Sequence, residues 1–148
     1  MNLRRLASLF ALLALGAGLA ACATGILRAD AAEYSLKVED NPAAQRFDLV
    51  LTANGSRALC LTSEQWPSRV GQLHMGGDAT LTSKGLTLPA RAENFGYCPG
   101  GCGRYRITSG HPLRGFIAYE AFGDAQRLAL DADKQVTFKV SPFVCRAR

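Results

Sequence analysis

The residues of this chain whose side chains could do chemistry are few: Cys22, Cys60, Cys98, Cys102 and Cys145, with His74 and His111. Cys98-Pro-Gly-Gly-Cys102 spaces two thiols by three residues. Redox enzymes use Cys-x-x-Cys, and haem attachment needs a His directly after the second Cys, so neither pattern is met. A structural zinc needs further ligands at short spacing, and neither histidine stands in such a motif. A nucleophilic triad needs a base beside its Ser or Cys. His111 sits in a Gly-His-Pro turn, His74 precedes Met75-Gly76-Gly77, and no Gly-x-Ser-x-Gly elbow occurs. The 12 acidic residues are scattered, and no phosphate-binding loop is present. The expectation is no catalytic residue, no metal and no cofactor.

The first cysteine belongs to a leader. Arg4-Arg5 is followed by an uncharged run from Leu6 to Ala21, which is the layout of an export signal. The run ends in Leu19-Ala20-Ala21-Cys22. This ending resembles the lipobox of bacterial lipoproteins. The resemblance implies removal of residues 1–21 as a signal peptide, diacylation of the Cys22 thiol, and acylation (palmitate) of the new amine. Two acyl chains anchor a protein stably where one does so only marginally. In that family an Asp after the Cys often signals inner-membrane retention. Ala23 stands there instead, which implies the outer membrane, facing the periplasm or the cell surface, in an organism that has one. A spanning helix over Leu6–Ile26 would have the required length, but Gly16, Gly18 and many alanines make it a weak span.

With Cys22 assigned to lipid, four cysteines remain, an even number in an exported chain. They allow three disulfide pairings. Cys98 and Cys102 flank a tight glycine-rich turn, and Cys60 and Cys145 lie in or beside apolar, strand-like runs. The favoured pairing is 60–145 with 98–102. A rigid 98–102 staple would present Arg104 and Tyr105 for binding, unless it closes a plain hairpin. Trp66, the only Trp, lies in the irregular stretch Thr62–Gly71. It is either a binding anchor or a core cap.

These residues must be held by strands. Residues 22–33 read as the lipidated Cys and a tether, whose last eleven residues span about 35 Å when stretched. From Tyr34 to Arg148 the pattern is that of one domain. Tyr34, Leu36 and Val38 alternate with polar residues, as do Phe47, Leu49 and Leu51. Asn54-Gly55 is a favoured pair for a tight hairpin turn, with Arg57–Leu61 returning. Shorter candidate strands are Gln72–Met75, Ala79–Thr82, Leu86–Leu88, Arg104–Thr108, Leu113–Tyr119, Gln126–Leu130 and Gln135–Val140. Short strands between turn residues predict a sandwich or barrel. Ala118–Leu130 is the best helical candidate, and Gly123-Asp124 interrupts it.

Phe47-Asp-Leu-Val-Leu-Thr-Ala-Asn-Gly-Ser56, with its apolar return, resembles the opening strand pair of immunoglobulin-like sandwiches. Ile107–Tyr119, with Phe122 after it, is similar to the later strand pair of small bacterial domains of that type. Similar layouts precede the catalytic domain in deuterolysin-like proteases and form a class of proteinase inhibitor. The resemblance covers about half the mature chain, and the Cys98/Cys102 pair departs from it. It implies an all-β, antiparallel, Ig-like β-sandwich of seven to nine short strands, stapled by disulfides. It implies no functional residues, because fold does not fix function.

The net charge is +5, and without Arg4 and Arg5 it falls to +3, with 15 basic residues against 12 acidic ones. The basic residues form no dense stripe, so no nucleic-acid partner is expected. The expected function is a lipid-anchored, non-catalytic binding module for a protein or envelope component, in one version proteinase-inhibitor-like. The competing expectation is a structural accessory lipoprotein of an envelope assembly.

Overall fold

The computed structural model describes residues 25–93 and 103–146. The lipidation site Cys22 and the Cys98/Cys102 pair lie outside the described residues. The described chain is an all-β sandwich of nine strands in three antiparallel three-stranded sheets.

The first sheet has the order β1-β2-β7. In β2 (Arg46–Ala53) every second residue is buried, the period that a strand half-covered by a core requires. Phe47, Leu49 and Leu51 are at most 1 % exposed. Burial of each such side chain contributes about 1.5–3 kcal/mol. Strand β1 (Tyr34–Asn41) pairs with β2 along its full length, from Tyr34↔Ala53 to Asn41↔Arg46. The turn between them is a short 3-10 segment over Pro42–Ala44, closed by Gln45 in the left-handed region at φ 51°. On the other side β2 pairs with β7 (Leu113–Ala118).

The second sheet is β6-β3-β9, made of β6 (Arg104–Ile107), β3 (Leu59–Thr62) and β9 (Phe143–Val144). The Cys60–Cys145 disulfide ties β3 to the residue after β9. The third is β5-β4-β8, made of β5 (Leu86–Pro89), β4 (Ala79–Ser83) and β8 (Gln135–Phe138). Leu59, Leu61, Leu81, Ile107, Ile117, Tyr119 and Phe138 bring the apolar faces of all three sheets into one core.

Four sequence expectations are corrected. Asn54-Gly55 does not close a hairpin, because β3 leaves β2 for the second sheet. Asn54 is instead held to the chain before β1: its N–H donates to Glu33 O and its side-chain amide to Ala32 O. Gln72–Met75 forms no strand, and only Leu73 bridges, to Ala92. Gln126–Leu130 is not a strand: Ala125–Ala129 forms the short helix α1. Gly123-Asp124 does divide the Ala118–Leu130 segment, because the Asp124 carboxylate accepts from the Gln126 and Arg127 N–H groups and starts α1 there. Finally, the expected tether is partly docked. Val144 N–H donates to Leu27 O and Ala29 N–H to Pro142 O, so residues 27–29 lie along β9.

Candidate functional site

The β6–β7 connection sends two consecutive strands into different sheets. Thr108 O accepts from His111 N–H to make the turn. Beyond it β6 and β7 end as edge strands of their own sheets, and a cleft of about 690 Å³ opens beside β7. Leu113–Phe116 of β7, Tyr105 of β6, the outer face of β2 and the Trp66–Arg69 loop line it. Its size falls in the range of roughly 300–1,000 Å³ typical of ligand sites.

Two glycines let the loop approach β7. A Cβ on Gly115 would stand 2.5 Å from Trp66 Nε1, so only glycine lets the indole lie against the strand. At Gly71 (φ +78°) a Cβ would meet the Phe116 ring at 2.5 Å and Ala118 N at 2.7 Å. Gly71 also accepts from Ala118 N–H at 2.9 Å, pinning the loop to the strand end. Trp66 is only 2 % exposed and packs on Phe138, with ring centroids 5.9 Å apart. It therefore serves the core and forms the cleft floor at once. No hydrogen-bond acceptor for its Nε1 is found among the described residues.

The charges of the cleft divide into satisfied and unsatisfied groups. Glu39 pairs with Lys37. Asp48 accepts from Asn41 Nδ2 at 2.8 Å, and its other oxygen lies 2.8 Å from Arg46 Nε. That second contact is short but off the N–H axis, since the buried Nε–H has no hydrogen-bond partner. It is an electrostatic contact only. The Arg46 guanidinium also covers the Phe116 ring at 4.8 Å. Arg69 and Arg114 make no ion pair among the described residues. The unmatched charge in the cleft is thus positive.

The structure places the three binding candidates in two locations. Trp66 and Tyr105 share the cleft. Arg104 does not: neighbouring residues of a strand point to opposite faces, and Arg104 lies over the Phe143 ring at 5.8 Å, beside Ile26 and Leu27. Sequence reasoning missed Arg46, Arg69, Arg114, Gly115 and Phe116. Their signal was weak, because an Arg or Phe on a strand reads as an ordinary solvated or packed position until the edges are known.

A second polar group was also missed. Tyr119, fully buried, donates its hydroxyl to Asp40, and Lys134 Nζ donates to Asp40 Oδ2 at 2.7 Å and to Asp131 O at 2.8 Å. Lys134 lies over the Tyr119 ring at 5.0 Å. Burial, then the hydrogen bond to Asp40 and its charge, push the Tyr119 phenol well above the usual tyrosine range. The hydrogen bond from Ser83, then that from the Asp133 N–H, hold the Asp131 carboxyl below the usual range. This group joins the end of β1, the segment after β7 and the start of β8, and it lies away from the cleft. Among the described residues no three His, Cys, Asp or Glu side chains gather as a metal site, and no helix is long and apolar enough to cross a membrane. His111 Nδ1 lies 3.4 Å from Thr108 Oγ1 within its turn. No protein-family model matches this chain, and no curated protein or solved structure matches it either.

Proposed function

We propose that this chain is an exported lipoprotein, anchored through acylated Cys22 at the outer membrane, whose β-sandwich binds a protein or envelope component without catalysing a reaction. The observation that carries the binding part is the cleft beside β7. It combines an aromatic floor, a strand and two arginines with no counter-charge among the described residues. Aromatic residues and Arg are the types enriched where partners bind most tightly. The leader residues Arg4-Arg5 and Leu19-Ala20-Ala21-Cys22 carry the anchoring part. The experiment is recovery of the intact lipoprotein from envelope extracts, with Tyr105→Ala and Arg69→Glu as cleft variants. A stoichiometric partner held by the wild type and lost by both variants supports the reading. Recovery that ignores the cleft sinks it.

The accessory-lipoprotein reading has one observation in its favour. Strand β5 is exposed along its length and displays Leu86 and Leu88 at 66 % and 40 % exposure on a sheet edge. Recovery of a large membrane complex, retained by the cleft variants and lost on Leu86→Lys, would favour it.

A further inference from the structure

The backbone parity of β7 decides what kind of partner the cleft suits. Tyr119 N–H donates to Gln45 O at 3.0 Å, continuing the register Ile117↔Phe47, Gly115↔Leu49 and Leu113↔Leu51. In an antiparallel pair the bonding residues alternate. The odd-numbered residues of β7 therefore direct N–H and C=O at β2, and the even-numbered ones direct theirs away from the sheet. Ala118 obeys this parity, since its N–H is bonded to the loop at Gly71 O. Arg114 and Phe116 face the same way, into the cleft, and their outward backbone groups find no backbone partner among the described residues. An open edge of this kind is a template for another strand.

Building on the binding function proposed above, we propose that the cleft takes an extended peptide segment of a partner protein, which adds as a fourth strand beside β7 and places a carboxylate against Arg114. Main-chain bonds to the N–H and C=O of Arg114 and Phe116 supply the pairing, as in other cases of strand addition. Successive side chains of an added strand point to opposite faces. One set meets Trp66, Pro67 and Tyr105, which suits an apolar residue. The other set meets the outer face of the sheet, where Arg114 stands opposite Val50, and Phe116, next on the same face, lies under the Arg46 guanidinium. Charge complementarity specifies an acidic group there, because Glu39 and Asp48 are already paired, whereas Arg69 and Arg114 make no ion pair among the described residues.

The test uses the full-length protein in detergent micelles and random peptides displayed on phage. Selected peptides should alternate apolar and acidic residues and lack proline at their centre. Arg114→Ala keeps the outward N–H and removes the charge, and should weaken the selected peptides about tenfold. Arg114→Pro removes that N–H while sparing the bonds of Leu113 and Gly115 to β2, and should abolish binding. Peptides held equally by Arg114→Pro overturn the strand addition. So do selected peptides with no acidic position, or no selection at all. If Arg114→Pro loses its native circular dichroism, amide hydrogen exchange of the wild type decides. Exchange at Arg114 and Phe116 must slow when the peptide is added, and unchanged exchange overturns the proposal. Self-association of the chain that Arg114→Ala disperses would assign the edge to a second copy instead. Partner recovery lost on Tyr105→Ala but kept on Arg114→Pro would retain the cleft as the binding site and remove only the added strand.

Discussion

A methyl group at position 115 would stand 2.5 Å from Trp66 Nε1, which makes this glycine the test of the cleft floor. Gly115→Ala must push the indole out of its seat, and overpacking of this kind costs about 1–3 kcal/mol. A urea titration should show that loss, and Trp66 fluorescence should report a more polar setting. Unchanged stability would mean that the ring does not lie on β7. Tyr119 and Asp131 give the pH dependence at the same scale. Tyr119 titrates higher in the folded state than in the unfolded one, where the phenol is near 10. Its contribution is complete below that pH and is lost as pH rises beyond it. Tyr119→Phe should therefore flatten the alkaline decline in stability and remove from an absorbance titration a phenol that ionises above the usual tyrosine range. Asp131 titrates lower in the folded state, so its contribution is present above the ordinary carboxylate range near 3.9 and fades as pH falls. Asp131→Asn should flatten the acid limb, as read by unfolding midpoints across pH. If each variant keeps the wild-type slope, the corresponding group is not linked to folding.

Among elements, β9 is the shortest strand, yet it holds one end of the chain to the second sheet. The Cys60–Cys145 bond closes a separation of 85 residues. The chain-entropy model assigns such a loop about 4–5 kcal/mol. Cys60→Ala/Cys145→Ala should lower stability by an amount of that order, measured by denaturant unfolding without reductant. It should cost more than Cys98→Ala/Cys102→Ala, whose bond would enclose only Pro99-Gly100-Gly101. A smaller effect from the long loop would show that the edge strand holds without its covalent tie. Helix α1 depends on one residue in a similar way. Asp124→Ala leaves two N–H groups without their acceptor, and should cost about 1 kcal/mol.

At the scale of the whole molecule, the anchor and the docked residues 27–29 combine into a geometric expectation. If the chain is acylated at Cys22, residues 23–26 alone separate the lipid from Leu27, a reach of about 14 Å when stretched. The β9 side, with Ile26 and Leu27 at 68 % and 61 % exposure and Arg104 beside them, would then face the bilayer. The first check is that Cys22→Ser abolishes detergent partitioning and maturation. The second is a fluorophore placed at Arg104, which should be quenched by lipid-borne quenchers more strongly than one at Leu130, a residue 88 % exposed on the chain beyond α1. Equal quenching would separate the β9 side from the membrane.

What the residues determined by themselves were the local properties. The two-residue period of Tyr34–Val38 and Phe47–Leu51 specified strands with one buried side, because a pleated chain has no other way to hide alternate side chains. Turn residues marked most strand ends, and Gly123-Asp124 marked the break within Ala118–Leu130, but the helix that follows it, in place of the expected strand Gln126–Leu130, was not marked. An even set of cysteines left three pairings open, and the favoured 60–145 bond is the one formed. What only the tertiary structure decided was which strands became neighbours. Asn54-Gly55 has the chemistry of a hairpin turn, but β3 finds its partners in β6 and β9, far along the chain. Strand order depends on contacts between distant segments, which leave no periodic trace in the sequence. The cleft is a consequence of that order. It exists because β6 and β7, adjacent in sequence, end as edges of two different sheets, and because glycines at 71 and 115 let a distant tryptophan loop close in beside them.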